Sequence, residues 1–260
     1  MRHLKTKAES SHPPLLTGNK GGIRRTEIIV ATSIILIFSY FIIGRLTVPE
    51  TKDILFFSFI KPVFDNDPLV NMYQYIFQFF TAFVFLFIIP LIQIRYVFKE
   101  KLSRHGIQIG DLKFGLKIFT ISLLILVPLL IFSSSMPDIQ AEYPLSKLIS
   151  RSSIILVFYE ATYLFYYIGW EFFFRGYLQL GLMNDNTTKS NLFLIIFYQT
   201  AISTILHIGK PLGEILGAAI VGPIFGWFAI KSKSVIYVIG IHFIVGITVD
   251  IASLVWSGLL

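Results

Sequence analysis

Long apolar runs, separated by short charged or proline-bearing breaks, divide this chain. The runs cover about Ile28–Ile43, Tyr73–Ile94, Leu116–Phe132, Leu148–Leu182, Leu192–His207, Ile215–Ile230 and Val235–Trp256. Most are close to the ~20 apolar residues that a helix needs to cross roughly 30 Å of hydrocarbon. The pattern predicts an all-α membrane protein, a bundle of about seven transmembrane helices. The breaks carry Pro49, Pro62, Asp65 and Asp67; then Arg95, Lys99, Lys101 and Arg104; then Pro137 and Pro144, which no helix tolerates in its interior without distortion. Further breaks follow at Asn184–Asn191, at Gly209-Lys210-Pro211 and at Lys231/Lys233. The Phe-rich piece Ile54–Ile60 is too short to cross and is expected at the interface.

Residues 1–26 are polar, basic and dotted with Gly and Pro, which predicts a flexible cytoplasmic tail ahead of a single transmembrane domain over 27–260. The first apolar run lacks a small-x-small cleavage pattern, so it reads as a retained signal anchor.

Composition agrees with this division. Charged residues make up 14% of the chain and apolar ones 55%, whereas a soluble domain carries about 25% charged residues. The net charge of +7 does not mark a nucleic-acid binder, because the basic residues gather in a few loops. With the N-terminus inside, the tail and the loops at 93–117, 183–191 and 231–233 hold fifteen Lys and Arg, against six in the opposite loops. That asymmetry predicts a multi-pass membrane protein with a cytoplasmic N-terminus. The absence of cysteine excludes disulfides, iron–sulfur clusters and thiolate zinc sites. No internal repeat is visible, which argues against a permease built from duplicated halves.

Candidate chemistry lies in the C-terminal half. Gly169-Trp170-Glu171-Phe172-Phe173-Phe174-Arg175-Gly176 sets an acid and a guanidinium four residues apart, on one helix face and in the favoured order. An ionisable group at bilayer depth costs about 2.5–3.5 kcal/mol on insertion scales, so such residues need a reason. The other polar candidates within spans are Glu160, His207, His242 and Asp250, with Glu214 and Lys210 at a hairpin end. There is no His-Glu-x-x-His motif, no Gly-x-Ser, and no second intramembrane aspartate beside Asp250. A carboxylate with two imidazoles leaves two routes open. His207 and His242 can hold a divalent metal such as zinc with the glutamate as general base. Alternatively, Glu171 takes the proton directly and the histidines serve the oxyanion or the leaving amine.

The order Glu-x-x-x-Arg-Gly, then a His closing a helix, then a His in the last helix, resembles the CAAX protease and bacteriocin-processing (CPBP, or Abi) family of intramembrane endopeptidases. The resemblance covers roughly 146–257, and Ile107–Gly115 is similar to a segment that often precedes it. It implies a catalytic set of Glu171, Arg175, His207 and His242, with Asp250 one turn beyond the expected position. Trp170 stands where the family has its first glutamate, Ser203 where it has Phe, and Gly246 where it has Asn or Asp. The resemblance implies an endopeptidase with a peptide or membrane-protein substrate, working in the lipid bilayer. A catalytically silent relative that binds a partner, as an immunity or scaffold protein does, is the alternative these departures keep open. Finally, a straight span four from Leu148 would bring Glu171 near the cytoplasmic surface, roughly a bilayer from His207. A helix break near Gly169, or a helix projecting beyond the membrane, is therefore expected.

Overall fold

The computed structural model describes residues 19–44 and 67–260. The Ile54–Ile60 piece and most of the expected tail lie outside the described residues, although helix begins at Asn19. The described residues form helices and no strands: α1 (Asn19–Ile43), α2 (Pro68–Phe83), α3 (Ile89–Ile92), α4 (Leu112–Ser133), α5 (Pro137–Glu142), α6 (Ser153–Glu171), α7 (Lys189–Ile205), α8 (Leu212–Ser232) and α9 (Ile236–Trp256).

The protein is a multi-pass membrane protein. Five helical stretches among the described residues are long and apolar enough to cross a membrane: Arg24–Ile43, Pro68–Val97, Leu112–Ser133, Leu212–Ser232 and Ile236–Trp256. The other two expected spans are helical where the sequence predicted them, yet outside this set. α7 has 17 residues, and α6 dilutes its apolar character with Glu160 and a run of tyrosines. Apolar side chains such as Ile34, Phe38, Leu124, Ile125, Phe193 and Ile220 stand on the outside, as lipid contact requires.

Local chemistry explains where the helices start and where they deform. Asp67 caps α2, accepting from the Leu69 N–H at 2.7 Å, with Pro68 in the first turn. Pro90 has no N–H to give the turn before it. The helix therefore passes through π-helical turns at Val84–Ile88 and Gln93–Val97 on either side of α3 and does not break. Ser152 caps α6 and Thr188 caps α7 in the same way as Asp67 caps α2.

The expected break at Gly169 is absent. α6 runs straight into a π-helical stretch, Phe172–Leu180, and the whole is about 40 Å long at helical rise. Gly169 instead permits close packing, since a Cβ there would lie 2.8 Å from the carbonyl oxygen of Ala82 on α2. The π stretch is the centre of the bundle. Phe172, Phe173, Phe174, Tyr177 and Leu178 are fully buried there, joined to Leu36 and Tyr40 of α1 and Val238 and Ile241 of α9 in one core.

Polar contacts fix this stretch in place. Tyr177 donates to the Gln93 side chain, Gln179 donates to the Gly226 carbonyl at 2.8 Å, and Arg25 of α1 reaches the Gly181 carbonyl. Arg25 also pairs with Glu100 at 2.8 Å, and Glu100 holds His105 Nε2 at 2.8 Å. Burial works against the Glu100 carboxylate, but hydrogen bonds from His105 and Arg25 and the charge of Arg25 and Arg104 outweigh it and hold its pKa at about 2.

The Ile107–Gly115 segment clamps the turn between α8 and α9. The Asp111 N–H donates to the Ser232 carbonyl at 2.8 Å, Tyr237 donates to the Ile109 carbonyl at 2.8 Å, and Gln108 donates to the Lys233 carbonyl at 2.9 Å. Gly110 has φ +60, and a Cβ there would sit 2.0 Å from the Ser232 oxygen, so only glycine fits. This clamp sets where α9 begins, and with it the height of His242.

Candidate active site

Glu171 is the last residue of α6, and Arg175 follows within the π stretch. Arg175 Nη1 donates to Glu171 Oε1 at 3.3 Å, while its Nε lies 3.3 Å from Oε2. Both side chains are buried, at 0% and 4% exposure. α9 brings His242 against the same carboxylate, with Nδ1 2.6 Å from Glu171 Oε1 across 71 positions of sequence. A carboxylate beside Arg175 is the acceptor, so the proton sits on His242 Nδ1 and Nε2 is the nitrogen left for other work. His242 remains 27% exposed where Glu171 is not.

His207 comes from the turn after α7. Its Nδ1 donates to the Ser203 carbonyl at 2.7 Å, which fixes the ring and turns Nε2 towards Glu214 Oε1 at 3.9 Å. Glu214, in the first turn of α8, also accepts from the Tyr143 hydroxyl at 2.7 Å. Burial and the adjoining Glu214 carboxylate push the Tyr143 hydroxyl well above the usual phenol range, so it is a donor across ordinary pH. Lys210 pairs with Glu142 and lies 5.6 Å from the centre of the Tyr143 ring.

These groups line one cavity of about 480 Å³, within the range of small-molecule and peptide-side-chain sites. Glu171, Arg175, His207, Glu214 and His242 stand in its polar wall, and Trp170 and Phe225 are among its apolar lining. The structure therefore gathers Glu171, Arg175, His207 and His242 in one place. The expectation that Glu171 and His207 would need a broken helix, or one projecting beyond the membrane, came from placing Glu171 at the membrane surface. Measured from the loop between them, Glu171 lies about 20 Å and His207 about 28 Å along two neighbouring helices, so they sit at similar depth.

Asp250 is not part of this gathering. It is 1% exposed, lies off the cavity, and confronts Glu160, itself 6% exposed, between α9 and α6. The nearby hydroxyls of Tyr163 and Tyr167 belong to the second, tyrosine-rich core.

Two of the three departures from the family pattern have a visible occupant. Trp170 lies edge-on to His207, with ring centres 5.4 Å apart and planes at 89°. At Gly246, a Cβ would lie 1.9 Å from the hydroxyl of Tyr167, whose ring packs 4.7 Å from that of His242. An aromatic side chain thus stands beside each histidine where the pattern places a polar one.

Among the described residues no three His, Asp or Glu side chains converge as a metal would require. His242 is held through Nδ1 by Glu171, and His207 Nε2 faces Glu214. Sequence reading left Glu214 as a hairpin-end residue, read Tyr167 only as one of a stretch of lipid-facing or core aromatics, and did not single out Tyr143. The usable signal was the tight Gly209-Lys210-Pro211 turn, which folds Glu214 back onto His207.

Comparison with known proteins gives one match. No curated protein and no solved structure matches the chain. The family model that matches is Rce1-like, described as type II CAAX prenyl endopeptidase Rce1-like, and it covers residues 152–248. That range opens at the cap of α6 and closes past His242, so it contains Glu171, Arg175, His207, Glu214 and His242. The match at residues 152–248 is consistent with the resemblance to the CPBP family read from the sequence.

Proposed function

We propose that the protein is an intramembrane endopeptidase, hydrolysing a peptide segment of a membrane or membrane-bound substrate inside the cavity. The observation that carries this reading is the Glu171–His242 contact at 2.6 Å, braced by Arg175, in the wall of a cavity that His207 also lines. Glu171 is buried and held from both sides, so its role is to orient His242. His242 is the partly exposed member and deals with the substrate. With its second nitrogen protonated, it donates to the oxyanion of a tetrahedral intermediate, a task typically worth about 3–4 kcal/mol per donor. His207, fixed through Nδ1, supplies the second imidazole. The bilayer is the working environment, with the N-terminus on the cytoplasmic side as the loop charges indicate.

A second reading has a specific observation behind it. Trp170 against His207 fills space that a carboxylate would use in the family pattern, and this favours a silent relative that binds a peptide or partner without cleaving it. Purified protein in detergent, incubated with peptide libraries beside a Glu171→Ala variant, separates the two. Glu171-dependent cleavage supports the peptidase. Binding of peptides without cleavage by the wild type supports the silent relative.

A further inference from the structure

We infer that Glu214 is the water-activating carboxylate of this site, working with His207, and that Tyr143 positions it. The inference rests on the peptidase reading above. Glu171 is poorly placed to meet water, since it has no exposed surface and its oxygens face His242 and Arg175. Glu214 is placed differently. It lines the same cavity, its side chain is 25% exposed, and one oxygen is held by Tyr143 while the other points at His207.

The 3.9 Å between Glu214 Oε1 and His207 Nε2 is too long for a hydrogen bond. A water molecule set off the line between them reaches both at ordinary hydrogen-bond length. His207 is kept from closing the gap by the Ser203 carbonyl on Nδ1 and by Trp170 on its ring edge, and Glu214 by Tyr143. Other charged groups near Glu214 are Glu142 and Lys210, which pair with each other, and His242.

Glu214 takes one proton from the water as the water oxygen bonds to the substrate carbonyl carbon, and His242 faces the resulting oxyanion. The proton on Glu214 passes to the amide nitrogen, the C–N bond breaks, and the products leave as a carboxylic acid and an amine. Glu214 returns to its starting state, so no further reactant is needed.

The experiment uses the full-length protein in lipid nanodiscs and a peptide that the wild type cleaves. Glu214→Gln keeps the shape and the Tyr143 hydrogen bond, and its kcat/KM should fall on the order of 10²–10⁴-fold with unchanged melting temperature. Glu214→Ala should regain activity on adding formate, which a structural role would not allow. A high-resolution map of the wild type should show ordered solvent within hydrogen-bond reach of both His207 Nε2 and Glu214 Oε1. Cleavage by Glu214→Gln close to the wild-type rate, or no formate rescue, removes this inference and leaves the peptidase reading standing. A wild type that cleaves no peptide removes the peptidase reading and the role of Glu214 with it.

Discussion

The hydroxyl of Tyr167 occupies the space in which a side chain at position 246 would have to sit, since a Cβ on Gly246 would lie 1.9 Å from it. Tyr167 cannot swing aside easily, because it is stacked at 4.6 Å on Tyr163 and packed at 4.7 Å against His242. Gly246→Ala should therefore destabilise the protein by about 1–3 kcal/mol, the usual cost of overpacking a filled core. Thermal unfolding in detergent reads this directly. The double variant Gly246→Ala/Tyr167→Phe should recover part of the loss, because it removes the atom in conflict.

Arg175 balances a carboxylate that has no access to water. Replacing it by Met leaves Glu171 buried with His242 alone, and removing one partner of such a pair typically costs about 3–5 kcal/mol. Glu171→Gln/Arg175→Met, which neutralises both, should be more stable than Arg175→Met. Chemical denaturation of the three proteins orders them. Equal stability of the single and double variants would show that the pair is not coupled.

Glu100 gives a pH dependence with a defined sign. Its pKa is held at about 2 in the folded protein against an ordinary 4.5. A carboxylate lowered by folding adds stability above its unfolded pKa and loses it as pH falls towards the folded one. The link from α1 through Arg25 to Glu100 and His105 should thus hold above about pH 4.5 and weaken as the pH drops towards 2. Hydrogen exchange in the Arg25-bearing turn of α1 should rise over that window in the wild type. In Glu100→Gln it should be raised already at neutral pH and stay nearly flat.

Much of the fold was legible because a bilayer leaves few choices. Apolar runs, proline breaks and loop charges located every helix from α6 onward within a few residues of its observed place. That Glu171, Arg175, His207 and His242 would come together was legible too, since charges inside apolar sequence need partners. The depth of Glu171 was not, because it depends on α6 starting at Ser153 and continuing through the π stretch, which no local pattern encodes. Asp250 lies one turn from the expected position on α9, yet helix packing turns it to Glu160. Glu214 was passed over because a charge beside Gly-Lys-Pro looks like a surface turn, and only the packing of Tyr143 over it reveals the cavity.

Chelators test the donor set. With no three donors converging among the described residues, dialysis against EDTA or o-phenanthroline should leave cleavage unchanged. Loss of cleavage restored by added zinc would require a ligand arrangement different from this one.

The pairing of Glu171 with His242 is the centre of the account, and a double-mutant cycle on peptide cleavage in nanodiscs measures it most directly. Glu171→Gln and His242→Gln should each lower kcat/KM by two or more orders of magnitude, and the double variant should be no worse than the poorer single one. Losses that simply multiply, with each residue acting independently of the other, would contradict it.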